Sequence, residues 1–124
     1  MHINITHPWV KNVAEAKLIQ TQLSTKVITE DRLNKINYVA GVDVGFKNNY
    51  AITQAAVAVL TYPHLELVEH TLAQIPTTFP YVPGYLSFRE IPAILAALAK
   101  VKTIPDLILC DGQGIAHPRR FGLA

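Results

Sequence analysis

The stretch from Tyr38 to Phe46, YVAGVDVGF, alternates strictly: Tyr38, Ala40, Val42, Val44 and Phe46 share one face, while Val39, Gly41, Asp43 and Gly45 share the other. A period of two marks a β-strand. Lys47-Asn48-Asn49 follows as a turn signal, Gln54 to Tyr62 reads as a second strand, Pro63-His64 as a tight connection, and Leu65 to Ile75 as a third strand. Connections this short join antiparallel neighbours, so the spacing predicts a three-stranded meander.

Upstream, Trp9, Val13, Ala16, Ile19, Leu23 and Val27 recur at helical intervals, which predicts a helix from Trp9 to about Ile28 with Pro8 in its first turn. The charged segment from Thr29 to Asn37 reads as a linker. Downstream, Pro76 to Gly84 is a proline-stiffened loop, and helical spacing returns from Ser87 to about Val101 through Ile91, Ile94, Leu95 and Leu98. Ile104-Pro105 breaks that helix. The unbroken apolar run from Leu107 to Cys110 is what a strand covered on both faces of a parallel sheet requires. The predicted class is therefore α/β: helix, antiparallel meander, helix, buried parallel strand. Residues 1–37 are the helix and linker and 38–124 the core of one domain, without internal repeats.

The chain has 124 residues, half of them hydrophobic, enough for one domain with a real core. Its eight prolines and six glycines sit in clusters, which argues against disorder. A net charge of +2 does not by itself imply nucleic acid. The single cysteine, Cys110, cannot form an intrachain disulfide and suits a reducing, cytoplasmic setting. The N-terminus lacks the basic and apolar regions of a secretory signal. No apolar stretch approaches the roughly 18 residues that span a bilayer, so a soluble protein without a membrane partner is expected.

Asp43 is the most informative residue, since aspartate is disfavoured in mid-strand and this one lies between two glycines on its own face. Open space beside a carboxylate suits a metal ion and a phosphate. Equally, Asp43 is a polar residue on a solvated face, with Gly41 and Gly45 as bulges. Asp111 closes the buried strand, where ligand sites of α/β sheets gather, but Asp111-Gly112 is also an ordinary turn. Ser87-Phe88-Arg89-Glu90 matches a capping box, a role that accounts for both Ser87 and Glu90. His117 precedes Pro118-Arg119-Arg120, which reads as a solvated patch or as a phosphate contact. Pro80-Tyr81-Val82-Pro83 sets an aromatic ring on a rigid tip, either a packed loop or a wedge that parts stacked bases. His2, His7, His64 and His70 show no metal-ligand spacing, and phosphate-binding glycine loops and nucleophile elbows are absent.

Three segments in order, GVDVGF, PYVPGYLSFREIPAIL and PDLILCDGQGIAHPRRFG, resemble the consecutive motifs of the endonuclease V family, and the similarity runs from about Glu30 onward through the YPHLELVE hairpin. The resemblance implies a ribonuclease H-like core that hydrolyses a phosphodiester on the 3′ side of deoxyinosine in DNA, one nucleotide beyond the lesion. Inosine in RNA is the alternative substrate. It also implies that Asp43 and Asp111 bind Mg²⁺, with Mn²⁺ as an alternative. Glu90 is implied as the catalytic and metal-facing glutamate, and His117 as the active-site histidine. By the same likeness Pro80, Tyr81, Val82 and Pro83 form a wedge with Tyr81 at its tip, and Gly84 and Leu86 receive the flipped base. Gly112, Gln113, Arg119 and Arg120 are placed on the DNA, although Gln113 stands where many relatives carry histidine. The implied family elements beyond residue 124 are a further strand, helices, a lysine, an acid and a histidine. Their lack would leave the domain incomplete, the buried strand open on one side, and the chain self-associating or paired with a C-terminal half. Two classes of function follow: a Mg²⁺-dependent DNA repair endonuclease, or a truncated, catalytically weak or inactive nucleic-acid-binding remnant that self-associates.

Overall fold

The computed structural model describes residues 1–3 and 12–123. Helix α1 (Val13–Ser24) is followed by strands β1 (Tyr38–Lys47), β2 (Ile52–Thr61) and β3 (Leu67–Pro76), helix α2 (Leu86–Ala99), strand β4 (Leu107–Leu109) and a 3-10 turn at Gly114–Ala116. The sheet order is β3-β2-β1-β4, with the meander antiparallel and β4 parallel to β1. This is the mixed sheet with a helical crossover that the sequence predicts.

The Asn12 side chain caps α1 by accepting the Glu15 amide at 2.9 Å. Pro8 and Trp9, expected in its first turn, lie outside the described residues, as does His7. The helix stops at Ser24 instead of continuing to Ile28. The hydroxyls of Thr21, Ser24 and Thr25 bond back to the carbonyls of Lys17, Thr21 and Gln22, the local competition by which such residues weaken a helix. Val27 is consequently exposed and off the helix, and α1 buries Ala16, Ile19 and Gln20.

The β1–β2 ladder runs unbroken from Tyr38 opposite Thr61 to Lys47 opposite Ile52, so Gly41 and Gly45 are not bulges. Strand β4 pairs through Val39 with Leu107, Ala40 with Ile108 and Gly41 with Leu109. The start of this pairing is held by Asp106, whose carboxylate accepts the amides of Asn37 at 2.9 Å and Tyr38 at 3.1 Å.

Helix α2 lays Ala93, Ile94, Ala97 and Leu98 on Ala40, Ala55, Val57, Val59 and Ala73 of the sheet. Burying side chains such as Val57 and Val59 contributes about 1.5–3 kcal/mol each before ordering costs. A second cluster joins Ala16 and Ile19 of α1 to Phe79, Tyr85 and Phe88. It ties the proline loop and the start of α2 to the N-terminal helix. The opposite sheet face is not covered by a helix among the described residues, and Gly41, Asp43, Ala56, Ala58, His70, Leu72 and Leu109 line a shallow depression there of about 370 Å³. Leu109 is 58% exposed, which corrects the expectation that the fourth strand is covered on both faces. Among the described residues, no helix is long and apolar enough to cross a membrane.

Candidate active site

Three elements bring three carboxylates to one place: β1 carries Asp43, α2 carries Glu90, and the chain leaving β4 carries Asp111. They line a single recess of about 130 Å³ together with Val42, Val44, Leu86, Ile94 and Leu123. A Cβ added at Gly41 or Gly45 would meet nothing within 4 Å, so Asp43 has open space on both sides along its strand. The Glu90 carboxyl is pushed above its ordinary pKa, first by burial and then by the negative charge of Asp43, with Asp111 adding to the effect and Arg89 opposing it. The charges repel one another across the recess, and a cation would relieve that repulsion. Hard carboxylate oxygens fit Mg²⁺, which takes few protein ligands and completes its shell with water and phosphate. Among the described residues, no group of three or more His, Cys, Asp or Glu side chains is arranged to hold a metal ion. The fit is thus that of a partial ligand set.

The capping-box reading of Ser87 and Glu90 is not what forms. The helix begins at Leu86 with Tyr85 as its N-cap and no side-chain capping bond. Ser87 is already inside the first turn and buried. The start shifts upstream because Gly84 adopts φ +88°, a conformation that favours glycine and turns the loop into the helix two residues early. Glu90, two residues further in than a box requires, is left to face the acidic recess.

A larger recess of about 610 Å³ adjoins it, sharing Leu86, Asp111 and Leu123 in its wall. Tyr81, Val82, Pro83, Gly84, Gly112, Gln113 and His117 also line it, so most of the residues expected to meet DNA are gathered here. Pro80 lies outside this wall. Arg120 is exposed and lines a smaller recess with Ile91, one that shares Phe121, Gly122 and Leu123 with the larger recess.

His117 is buried, and both ring nitrogens are engaged. Nδ1 accepts the Arg119 amide at 3.1 Å, which leaves Nε2 to carry the proton and donate to the Gly84 carbonyl at 2.7 Å. Arg119 also donates to that carbonyl, at 3.0 Å, and its guanidinium lies 4.5 Å from the Tyr85 ring centre. Here Arg119 braces the recess from behind. Tyr81 stands 69% exposed at the loop tip, with Arg89 beneath it. The Arg89 guanidinium also approaches the rings of Phe46 at 4.7 Å and Tyr50 at 5.2 Å, and its buried Nε has no hydrogen-bond partner.

Two residues escaped the sequence reading. Arg89 was absorbed into the capping box. Gln20 is not among the residues that the helical spacing singles out, although it is fully buried and bonds to both Gly84 and Arg119. A polar residue in phase with Ala16 and Ile19 was the signal available.

The family profile described as Endonuclease V matches residues 21–124. Endonuclease V of Rippkaea orientalis is 63% identical over the whole of this chain and 54% of its own length. The crystal structure of Endonuclease V from Streptomyces avermitilis superimposes with a TM-score of 0.86 at 43% identity, covering 93% of this chain and 51% of that one. Endonuclease V of Ciona intestinalis, solved in complex with a 23mer DNA containing an inosine followed by a ribo-adenosine, gives a TM-score of 0.79 at 34% identity over 89% of this chain and 49% of its own. The chain spans about half the length of the curated relatives it matches.

Proposed function

The chain belongs to the endonuclease V family, and on that premise we propose that it carries the acidic centre and the base-receiving recess of a DNA repair endonuclease that hydrolyses the phosphodiester 3′ to deoxyinosine. The observation that carries this reading is the shared wall between the acidic recess of Asp43, Glu90 and Asp111 and the larger recess behind Tyr81. A base extruded into the larger recess would bring its own backbone past the carboxylates. Extrusion costs a few kcal/mol, less where pairing is already damaged, which favours a deaminated base.

Asp43, Glu90 and Asp111 would hold Mg²⁺ or Mn²⁺. When bound, the ion supplies an activated water and charge stabilisation at the leaving oxygen. Gly84 and Leu86 would line the base recess, and the exposed ring of Tyr81 would enter the stack the base vacates. His117, with both nitrogens occupied, holds the loop exit in place. Supporting the choice of DNA, the Ciona intestinalis relative is bound to inosine-containing DNA. RNA inosine is the competing substrate, distinguished by a matched RNA strand.

The test is a nicking assay on a labelled duplex with one deoxyinosine, with Mg²⁺ and an Asp43→Ala control. Nicking beyond the inosine that Asp43→Ala abolishes supports the reading; nicking indifferent to that substitution removes it. A second reading, a weakly active or inactive nucleic-acid-binding module that self-associates or pairs with a C-terminal half, is favoured by the uncovered sheet face, where Leu72 and Leu109 are exposed. Sedimentation of the chain should then show dimers at micromolar concentration that Leu109→Asp dissociates, and a monomer throughout would rule out self-association.

A further inference from the structure

The turn between β1 and β2 holds Asn48, Asn49 and Tyr50 at φ values of 52°, 53° and 67°. Asparagine tolerates that left-handed region, but for a tyrosine it is uncommon and persists only where the surroundings hold it. Here the Tyr50 ring lies 5.3 Å from that of Phe46, tilted by 44°, and the Arg89 guanidinium lies 5.2 Å from its centre. The Ala51 amide closes the turn on the Asn48 carbonyl at 3.1 Å, and the Thr77 amide ties it to the exit of β3 through the Ala51 carbonyl at 2.9 Å. The ring is nevertheless 61% exposed. A large aromatic side chain is thus braced in place and left open to solvent. The same guanidinium sits 5.5 Å from the ring centre of Tyr81, so one cation joins two open rings from different loops. Its buried Nε has no hydrogen-bond partner, so it is the rings that hold it.

We infer that Tyr50 is a second stacking platform, which takes an unpaired base of the bound DNA a few nucleotides from the phosphate at the carboxylates. The rim of the platform is Lys47, Asn48 and Asn49, all exposed: one cation and two amides. A lone ring with that rim is too small and too polar for an apolar protein partner, and it suits a base whose phosphates pass over the rim. Phe46, beneath the ring, lies three residues beyond Asp43 on β1, roughly 10 Å at the usual rise of a strand. Successive nucleotides of a stacked strand are about 3.4 Å apart, which puts the stacked base about two to four nucleotides away. Every base has a π-face, so Tyr50 contributes affinity and register, and the choice of lesion lies elsewhere. This inference rests on the reading of the acidic recess as the site of phosphodiester hydrolysis.

The experiment pairs fluorescence anisotropy of the full chain, without divalent metal, with quenching of 2-aminopurine placed singly along a single-stranded oligonucleotide that carries one deoxyinosine. Tyr50→Ala is expected to weaken binding roughly tenfold, the scale of one base stacked on an aromatic ring. The loss should be equal on a matched oligonucleotide with deoxyadenosine in place of deoxyinosine. It should also relieve quenching about two to four nucleotides from the inosine and leave the other positions as they were. Tyr50→Phe keeps the ring and should keep both affinity and quenching. Unchanged affinity in Tyr50→Ala overturns the inference. So does a loss accompanied by a lowered Tm without any position-specific change in quenching, since that is a packing role, and so does an unsubstituted chain that binds neither oligonucleotide. Binding without inosine preference removes the endonuclease reading instead, and the Tyr50→Ala loss on the deoxyadenosine oligonucleotide then still decides the platform.

Discussion

Asp43 on β1 and Asp111 on the chain leaving β4 stand at matching positions: each lies two residues beyond the last rung of the parallel β1–β4 ladder, where Gly41 faces Leu109. Shared register, not proximity in sequence, brings them to one recess. Asp43→Asn and Asp111→Asn should each reduce Mn²⁺ binding below detection at millimolar metal in an electron paramagnetic resonance titration, because either change leaves too few anionic ligands. Either one should also leave the fold intact, since both residues are exposed. Full Mn²⁺ binding by Asp43→Asn would move the metal elsewhere.

Phe79 is 2% exposed and packs 5.7 Å from the Phe88 ring centre and 6.5 Å from that of Tyr85. Phe79→Ala should destabilise the chain by about 3–5 kcal/mol, the usual cost of emptying a buried aromatic site. Urea unfolding followed by circular dichroism measures it. A loss below 1 kcal/mol on the same scale would mean that the second cluster does not contribute to global stability.

Tyr81 offers the opposite contrast. It is mostly exposed and rests on Arg89 by a single cation–π contact at 5.5 Å. Tyr81→Ala should cost less than about 1 kcal/mol of stability, yet weaken binding to an inosine-containing duplex severalfold. Comparable losses in melting and in anisotropy would show Tyr81 to be a packing residue.

Two carboxylates set the acid side of stability. Glu69 accepts the amides of Thr103 and Lys102, and these bonds, Thr103 first, hold its carboxyl below the ordinary range. Asp106 is held below its range in the same way by Asn37 and then Tyr38. A folded pKa that is depressed adds stability that is present above the unfolded pKa and is lost as pH falls through the folded one. Tm should therefore fall as pH drops below the ordinary carboxylate range. In the double variant Glu69→Gln with Asp106→Asn, Tm at neutral pH should be lower and the acid limb flatter. An unchanged slope would place the acid sensitivity on other groups.

The meander was legible because period-two alternation survives in each strand: β1 was expected over Tyr38–Phe46 and forms over Tyr38–Lys47. The acids could be picked out by position, Asp43 between glycines and Asp111 after an apolar run. Their meeting with Glu90 could not be read from spacing, because it depends on the β1–β4 register and on where α2 starts. Ser87 misled because a local box pattern competes with a glycine turn whose effect is visible only in three dimensions. Gln20 stayed hidden for a similar reason: its partners lie 64 and 99 residues away, and no periodicity reports a contact of that range.

The stretch matched by the family profile begins at residue 21, one position after Gln20. A fragment cut to that boundary would keep the sheet, α2 and the three acids, and would look whole by any inventory of motifs. It would nevertheless lose the keystone of an arch whose other stones are Gly84, His117 and Arg119, leaving the guanidinium Nε without its acceptor. The packed unit thus extends upstream of the stretch the profile recognises, and the N-terminal helix is masonry of the recess, not an appendage to it.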